Sequence, residues 1–479
     1  MQTSVETLER PASNAEPQRK RVAVLGLGFV GAANAIAIAS ARDASGRPVF
    51  EVVGVELPTP WGLERSAALN EGRFPFATTD EELVRVAGES REAGNLRGVT
   101  SPEALADADM VVVDIGLDLE LDSKHGEEPQ FARAPFEAAI RTVGDHANPE
   151  ALILLESTVP PGTCEKIVMP ILRERFAARG ATAEPKLAYC YERVMPGSQY
   201  LQSVRNIWRV YAGATPAVAD EAEAFLSAFI DVSAKPLTRL ESLRAAEMAK
   251  VLENTYRAVN IALIDEWERF ARAINIDLYG VLDAIRVRPT HNNIRFPGLG
   301  VGGYCLSKDP MFGPASAREI WGLEGLKFPL STAGVRINDA MPTASADLLE
   351  QVLGGLSGKR VLLLGAAYRQ DVGDTRLSPS ATLAQDLLAR GAVVAVADPM
   401  VDEFPEADVP LHAELPDASG FDAVALCVPH TAWRGLDLAG WAGAARPAIV
   451  DTNGMLDAGK LAALKTAGFT VAAIGRGTI

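Results

Sequence analysis

Buried strands and amphipathic helices alternate along the first part of the chain. From Arg21, the stretch RVAVLGLGFVGAANAIAIASA is typical of a buried strand, a glycine turn and an apolar helix. Further short runs rich in β-branched residues follow, with helical stretches between most of them, at residues 50–57, 109–115, 151–157, 185–190 and 207–213. Strands that alternate with helices predict a parallel, doubly wound sheet.

The middle of the chain has a different pattern. From about Leu243 to Ile274 there is no Pro or Gly, and apolar residues recur every three, four or seven positions, which predicts a long amphipathic helix. The recurring positions are Met248, Leu252, Val259, Leu263, Trp267 and Phe270. A helix of about 30 residues is about 45 Å long, which is more than one small domain needs. We therefore expect it to link domains and to pair with a second subunit.

The alternation of strands and helices then restarts. Runs at 359–368, 391–399, 421–429, 447–454 and 469–475 predict a second parallel sheet. The predicted fold is α/β, with two Rossmann-like doubly wound sheets joined by a helical middle domain that has one long central helix. The predicted units are a flexible tail (1–20), a first sheet domain (21–235), a helical dimerisation domain with a catalytic loop (236–340) and a second sheet domain (341–479).

Composition and charge exclude several functions. The chain has 479 residues, of which 48% are hydrophobic, and a net charge of −16. The chain has no dense run of Lys or Arg, so we expect no nucleic-acid partner. It has no apolar stretch of the roughly 18 residues that a membrane span needs, so we expect no membrane association. The cysteines form no CxxC pair and have no His at metal-binding spacing, so we predict no metal site and a reducing, cytoplasmic location. They are Cys164, Cys190, Cys305 and Cys427.

A glycine turn follows the first strand. In GLGFVG, Gly26 allows the tight turn, Gly28 lets backbone amides approach a pyrophosphate, and Gly31 lets helix and strand pack closely. Glu56 ends the next strand, where a carboxylate accepts a hydrogen bond from a ribose 2′-hydroxyl and repels a 2′-phosphate. The pattern therefore predicts NAD rather than NADP. The second sheet begins LLLGAAY and lacks the other two glycines, so we expect no second NAD site.

The glycine-rich segment GVGGYCLSKDP (300–310) carries the main candidate nucleophile. Cys305 ends the glycine run, and Lys308 and Asp309 follow closely. A thiol beside a cation in an open loop is expected to have a lowered pKa and to attack electrophiles. The other cysteines lie in or beside apolar elements, so we expect them to contribute to packing.

Polar residues elsewhere complete the candidate set. Thr158 and Ser157 stand at the end of a predicted strand, in ESTVPPGT, and Glu192 follows another strand as a candidate general base. Lys250 and Asn254 are i, i+4 neighbours on the long helix and could together stabilise an oxyanion. Each also has a structural interpretation, as a turn, a surface carboxylate or a solvated helix face.

These motifs, in this order, resemble the UDP-glucose/GDP-mannose dehydrogenase family, the nucleotide-sugar 6-dehydrogenases. The resemblance runs from about residue 21 to 475 and rests on GLGFVG, ESTVPPGT, YERVMPG, KVLENTYRAVNIAL, GVGGYCLSKD and GAAYRQDVGDTRLSPS. It implies a four-electron oxidation of a sugar C6 alcohol to a carboxylate with two NAD⁺. The long helix at 243–274, for its part, predicts a homodimer. The substrate would be a UDP-hexose or a UDP-N-acetylhexosamine.

The resemblance also implies roles for individual residues. Lys250 and Asn254 would stabilise the alkoxide-like oxygen. Cys305 would form a thiohemiacetal and then a thioester, which water held by Thr158 and Asp309 and activated by Glu192 would hydrolyse. The implied cofactor contacts are Gly26, Gly28, Phe29, Val30, Gly31, Glu56, Thr158 and Lys308. The implied substrate contacts are Glu192, Arg193, Lys250, Asn254, Phe296, Gly302, Arg369 and Arg376.

The chain also departs from the family pattern. Family members usually have Thr-Pro after the strand that reads DMVVVDI here, whereas this chain continues VVVDIGLDLE and places Asp114 near the cofactor. The ER-x-x-PG pattern favours N-acetylhexosamine substrates. Two other interpretations remain open. One is a two-electron β-hydroxyacid-type NAD dehydrogenase, which would not need Cys305, and the other is a non-catalytic protein that binds NAD or a nucleotide sugar.

Overall fold

The structure is a computed structural model that describes residues 19–120 and 129–477. Most of the predicted tail (1–20) therefore lies outside the described residues. The described chain forms a first α/β unit, a set of middle helices and a second α/β unit, in that order.

The first α/β unit is built on an eight-stranded sheet with helices on both faces. Its strands, together with a separate two-stranded ribbon (β5 and β6), are β1 (Lys20–Leu25), β2 (Phe50–Val55), β3 (Leu96–Val99), β4 (Met110–Val113), β5 (Asp118–Leu119), β6 (Phe131–Ala132), β7 (Leu152–Leu155), β8 (Lys186–Cys190), β9 (Val210–Gly213) and β10 (Thr238–Arg239). Its helices are α1 (Phe29–Ala39), α2 (Pro60–Asn70), α3 (Glu81–Glu92), α4 (Arg133–His146), α5 (Met169–Ala178), α6 (Tyr200–Asn206) and α7 (Pro216–Leu226).

The strand order places a crevice at one edge of this sheet. The order is β10-β9-β8-β7-β4-β1-β2-β3, and neighbours are parallel except for β8 and β9, which are antiparallel. The order reverses between β1 and β4, so the chain leaves these two strands in opposite directions. Ligands of doubly wound sheets bind at such a reversal, outside the carboxyl ends of the strands.

The middle helices begin with the predicted long helix. They are α8 (Leu243–Ala273), α9 (Leu278–Arg286), α10 (Phe312–Glu319) and α11 (Pro329–Leu353). Ser242 caps the amino end of α8 by accepting a hydrogen bond from the Ala245 amide at 3.3 Å. Asn338 on α11 donates to the Ala258 carbonyl of α8 at 3.2 Å. Helix α11 is continuous through residue 340, where the sequence places a domain boundary.

The second α/β unit repeats the plan with fewer strands. Its strands are β11 (Arg360–Leu364), β12 (Val393–Ala397), β13 (Leu411–His412), β14 (Ala423–Leu426), β15 (Ala448–Asp451) and β16 (Val471–Ala473), in the order β13-β12-β11-β14-β15-β16 with all neighbours parallel. Its helices are α12 (Pro379–Ala389), α13 (Thr431–Arg434), α14 (Leu438–Ala442) and α15 (Ala458–Thr466). The order again reverses, between β11 and β14.

The apolar stripe that predicted α8 does not face the core. Met248, Leu252, Leu263, Trp267 and Phe270 are exposed, whereas the opposite face of the helix is buried. The stripe is therefore an unpartnered apolar surface in the single chain. In the part of the chain that the structure describes, no helix combines the length and the apolar character that crossing a bilayer requires.

Candidate active site

The glycine turn after β1 has the geometry that the sequence predicts. Gly26 has φ +95°, and a Cβ there would lie 2.9 Å from the Asp114 carbonyl oxygen. A Cβ at Gly31 would lie 1.9 Å from the Gly26 oxygen, so only glycine lets α1 pack this closely. A Cβ at Gly28 would meet no atom within 4 Å, so the amino end of α1 faces open space. The turn fits a dinucleotide pyrophosphate.

Glu56 stands beside this turn at the end of β2. Its Oε1 accepts a hydrogen bond from the Leu27 amide at 3.1 Å, and its Oε2 accepts one from the Leu57 amide at 2.9 Å. Arg65, which the sequence analysis missed, lies with Nη1 3.1 Å from Glu56 Oε1 and stacks 4.4 Å from the Trp61 ring centre. This arginine partly offsets the repulsion that Glu56 exerts on a 2′-phosphate.

A cavity of about 190 Å³ lies at the carboxyl ends of β4 and β7. It brings together predicted site residues from five separate parts of the sequence. Its lining residues are Val30, Asp114, Gly116, Leu117, Asp118, Glu156, Ser157, Thr158, Glu192, Tyr304, Cys305, Lys308 and Asp309. The candidate nucleophile, the candidate base and the strand-end threonine thus share one space with the start of α1.

Cys305 is exposed, as predicted, but the glycines before it pack against the second α/β unit. A Cβ at Gly302 would lie 2.6 Å from Tyr368 Cβ, so the second α/β unit, rather than open space, fills the approach that the glycines provide. The Cys305 residue is accessible from the cavity, but burial of its thiol by surrounding protein raises its pKa to about 11. Asp309 and Glu192 add to this rise, while Lys250 and Lys308 oppose it. The expectation of a lowered pKa is therefore wrong.

Lys250 lies behind Glu192, outside the cavity lining. Its Nζ donates to the Glu192 carbonyl at 2.9 Å and lies 3.7 Å from Glu192 Oε1. Burial opposes a charge on Lys250, but Glu192, Cys305 and Asp309 outweigh it and raise its pKa. The ammonium group therefore keeps its positive charge within the site.

Asn254 is placed in a similar way behind Asp309. Its Nδ2 donates to Asp309 Oδ2 at 2.7 Å, and Lys308 Nζ lies 3.1 Å from Asp309 Oδ1. Lys308 also donates to the Leu117 carbonyl at 3.2 Å. Lys250 and Asn254 lie on adjacent turns of α8. Lys250 thus holds Glu192 in place, and Asn254 holds Asp309.

The second α/β unit carries both predicted arginines, and it brings Arg376 to the site within the same chain. The Arg376 guanidinium lies 5.2 Å from the Tyr304 ring centre and 5.8 Å from that of Phe29, and it pairs with Asp374 at 2.6 Å. Arg369 lines a second cavity of about 420 Å³, whose other wall is the segment 195–207.

Arg193 and Phe296 line neither cavity. Arg193 donates to Glu253 Oε2 at 2.8 Å and to the Trp208 carbonyl at 3.0 Å. Phe296 stacks on Tyr279 with ring centres 5.4 Å apart. Their proposed substrate contacts therefore need a rearrangement on binding and stay predictions.

Four polar side chains form a cluster at the base of the cavity: Asn34, Asp114, Glu156 and Arg209. The sequence analysis singled out only Asp114. Asn34 Nδ2 donates to Asp114 Oδ2 at 3.1 Å and also to Glu156. Arg209 Nη1 pairs with Glu156 Oε1 at 2.9 Å. The available signal was a polar residue inside an apolar run, as in AANAIAIA around Asn34 and IWRVYAG around Arg209.

Comparison with known families decides how this arrangement is classified. Models of the UDP-glucose/GDP-mannose dehydrogenase family match the NAD binding domain at residues 20–229, the central domain at 244–340 and the UDP binding domain at 362–458. The chain belongs to this family. Its first α/β unit is the NAD-binding domain of a nucleotide-sugar dehydrogenase, and its second is the UDP-binding domain.

Individual relatives of this nucleotide-sugar dehydrogenase cover almost its full length. It is 30% identical to UDP-N-acetyl-D-mannosamine dehydrogenase of Pyrococcus horikoshii, over 96% of this chain and 100% of that one. It is 28% identical to NDP-N-acetyl-D-galactosaminuronic acid dehydrogenase of Ralstonia nicotianae, over 93% of this chain and 98% of that one. The structure of a UDP-glucose dehydrogenase from Pyrobaculum islandicum matches with a TM-score of 0.79 at 26% identity, covering 98% and 100% of the two chains.

Proposed function

We propose that this dehydrogenase oxidises the C6 primary alcohol of a UDP-N-acetylhexosamine to the carboxylate in two NAD-dependent steps through Cys305. The observation that carries the proposal is the shared cavity in which Cys305, Glu192 and Thr158 meet beside the amino end of α1. Relatives named for UDP-N-acetyl-D-mannosamine and an N-acetylgalactosaminuronic acid favour an N-acetylated sugar over glucose.

The first oxidation turns the alcohol into an aldehyde. Bound NAD⁺ supplies the acceptor for the C6 hydride. The hydroxyl proton passes to solvent water as negative charge develops on the C6 oxygen. Lys250 and Asn254 stabilise that charge after they exchange their hydrogen bonds to Glu192 and Asp309 for the substrate oxygen. The Lys250 ammonium is suited to this role because the neighbouring carboxylates keep it protonated despite its burial.

The second oxidation uses the thiol. Cys305 loses its proton to a neighbouring carboxylate, Glu192 or Asp309, and its sulfur adds to the aldehyde carbon to give a thiohemiacetal. That carbon again carries a hydrogen, which leaves as hydride to a second NAD⁺ and produces a thioester. Water held by Thr158 and Asp309 and deprotonated by Glu192 then releases the carboxylate and restores the thiol. The sum is one alcohol, two NAD⁺ and one water to one carboxylate, two NADH and three protons.

The second α/β unit binds the nucleotide end of the substrate. Arg376 lies beside Tyr304 and Phe29, and Arg369 lines the 420 Å³ cavity. We assign both arginines to the diphosphate, since guanidinium groups pair well with phosphate oxygens.

A homodimer is proposed through the apolar stripe of α8. Its exposed residues include Leu252, Trp267 and Phe270, which are 63%, 53% and 55% exposed in the single chain. A contiguous apolar face of this kind on a soluble enzyme is typical of a subunit interface. Sedimentation should give a dimer at micromolar concentration, and Trp267→Glu should shift it to monomer.

A substrate panel tests the reaction. UDP-N-acetylmannosamine, UDP-N-acetylglucosamine, UDP-N-acetylgalactosamine, UDP-glucose and GDP-mannose are each incubated to completion with limiting sugar and excess NAD⁺. We expect two NADH per sugar and a uronate product for an N-acetylated sugar. One NADH with a released aldehyde or ketone would favour the β-hydroxyacid-type alternative, and sugar binding without NADH would favour a non-catalytic protein.

A further inference from the structure

Asp114 occupies the base of the dinucleotide crevice. It directly follows β4, and its amide donates to the Leu25 carbonyl of β1 at 2.9 Å, so it lies where the strand order reverses. A Cβ at Gly31 would lie 3.1 Å from Asp114 Cβ, which puts the aspartate side chain against the glycine turn. The same residue lines the 190 Å³ cavity. A dinucleotide that crosses from β1 to β4 must pass this side chain.

Two carboxyl groups share one amide and one cation at this point. Asn34 Nδ2 donates to Asp114 Oδ2 at 3.1 Å and also to Glu156 Oε2. Arg209 pairs with Glu156 at 2.9 Å, with side-chain exposures of 0% and 1%. Within residues 19–120 and 129–477, Asp114 forms no ion pair. One negative charge is therefore matched by Arg209, and a second one on the half-buried Asp114 beside it would have no counter-charge of its own.

The other groups facing Asp114 do not change this balance. The other titratable groups near Asp114 are Tyr200 of α6, Glu192 after β8, Asp118 of β5, and Cys305, Lys308 and Asp309 of the glycine-rich loop. Lys308 is already paired with Asp309 at 3.1 Å. Burial, Glu156 and Glu192 together raise the pKa of Asp114 well above its ordinary value, although Asn34 and Arg209 oppose them.

We propose that Asp114 stands in the crevice as a neutral carboxylic acid and donates a hydrogen bond from its hydroxyl group to an oxygen of bound NAD. The acceptor lies in the segment between the pyrophosphate and the nicotinamide ribose, because that segment spans the β1–β4 reversal. An ionised Asp114 would have no hydrogen to donate and would repel the phosphates. Binding of NAD and the proton on Asp114 are therefore coupled.

Infrared difference spectroscopy tests where the proton is. Adding NAD⁺ to the enzyme, with no sugar present, should shift the C=O band of a protonated carboxyl group. Asp114→Asn should remove this band, and Asp107→Asn, an exposed carboxylate in the turn before the amino end of β4, should keep it. A wild-type enzyme without such a band would overturn the proposal. So would a band that survives in Asp114→Asn and disappears in Glu156→Gln, since the proton would then belong to Glu156.

Calorimetry of NAD⁺ binding between pH 6 and 10 gives a second readout on the wild-type enzyme. Once the pH exceeds the point at which Asp114 ionises, affinity should fall about tenfold per pH unit, with uptake of up to about one proton on binding. Asp114→Asn keeps a donor that cannot ionise, so its affinity should stay within about threefold of wild type at pH 7 and lose this decline. Affinity that rises with pH, or an equally steep decline in Asp114→Asn, would contradict the proposal. Because sugar is absent throughout, the result is independent of the reaction proposed above.

Discussion

The turn after β1 and the turn after β11 share one backbone plan. Gly26 and Gly365 both have positive φ, at +95° and +118°. The Gly26 amide donates to the Val55 carbonyl at 2.9 Å, and the Gly365 amide donates to the Ala397 carbonyl at 2.8 Å. In each unit, a carboxylate at the end of the neighbouring strand accepts a hydrogen bond from the amide of the residue after the glycine. This carboxylate is Glu56 after β2 and Asp398 after β12.

The two carboxylates differ in how much of the turn they occupy. Glu56 accepts from one turn amide, that of Leu27. Asp398 accepts from two, those of Ala366 and Ala367 at 2.7 and 2.9 Å, and also from His430 Nε2 at 3.1 Å. The second crevice thus satisfies its amides with its own buried side chains, whereas the first leaves them for a ligand. The same fold becomes a cofactor site or a rigid support according to where one carboxylate points.

The largest expected effect lies in the loop between the two units. Cys305→Ala removes the sulfur that holds the aldehyde, so carboxylate formation should fall by at least ~10³, about 4 kcal/mol of transition-state stabilisation, with NAD⁺ binding to the first crevice unchanged. NADH release and product analysis measure this. Cys427→Ser, a buried thiol of the second unit, is the control and should affect stability more than rate. Carboxylate formation by Cys305→Ala at a near wild-type rate would contradict the proposed mechanism.

The second effect is the pH dependence of Cys305 alkylation, which reflects the burial of the thiol beneath the second unit. A thiol with a pKa of about 11 is mostly protonated at neutral pH, so alkylation of Cys305 by iodoacetamide should accelerate about 10²-fold from pH 7 to pH 9. Mass spectrometry should find the label at Cys305 and not at the buried Cys164, Cys190 or Cys427. Saturating nucleotide sugar should protect. A rate that levels off below pH 8 would show a lowered pKa instead.

A third effect tests the open crevice. Glu56→Ser removes the ribose acceptor and leaves Arg65 free to meet a 2′-phosphate. The preference for NAD⁺ over NADP⁺ in kcat/KM should therefore fall by at least about tenfold, or ~1.4 kcal/mol. Glu51→Ser, a carboxylate near the opposite end of β2, serves as the control. An unchanged preference would mean that Glu56 does not set cofactor choice.

The smallest effect tests the closed crevice. Asp398→Asn weakens the hydrogen bonds that fix Ala366 and Ala367, directly before Tyr368 and Arg369. The KM for nucleotide sugar should rise about three- to tenfold, while kcat and NAD⁺ affinity stay near wild type. Steady-state kinetics with each substrate varied in turn separates these quantities. A selective rise in the KM for NAD⁺ would reverse the assignment of the two crevices.

Local features of the site were predictable from the sequence. The glycine turn, Glu56 and the buried strands follow from backbone conformation and periodicity within a few residues. Every run predicted as a strand contains one, while the short strands β3, β5, β6, β10 and β13 were missed. Four of them have only two residues, which is too short for a periodic pattern, and the four-residue β3, LRGV, contains a Gly and a charged residue instead of an apolar run.

Features that depend on distant contacts were not predictable. Lys250 and Asn254 were expected to point together at substrate, but each bonds a partner more than fifty positions away, Glu192 and Asp309. The pKa of Cys305 depends on burial to which Tyr368 of the second unit contributes, and no local pattern reports that contact. Nothing in the sequence around Arg209 indicates that it pairs with Glu156, because the two residues lie on separate elements.

Helix α11 constrains how this enzyme can be recombined with its relatives. It starts among the middle helices at Pro329 and ends at Leu353, shortly before β11 begins at Arg360. A chimaera that exchanges the UDP-binding domain upstream of this end must therefore be spliced within a helix rather than in a flexible linker. One extra residue in the splice would rotate the grafted domain by about 100° and displace it by about 1.5 Å, swinging Arg376 away from Tyr304. Grafts that preserve the length of α11 should be accepted, and single-residue insertions there should abolish turnover.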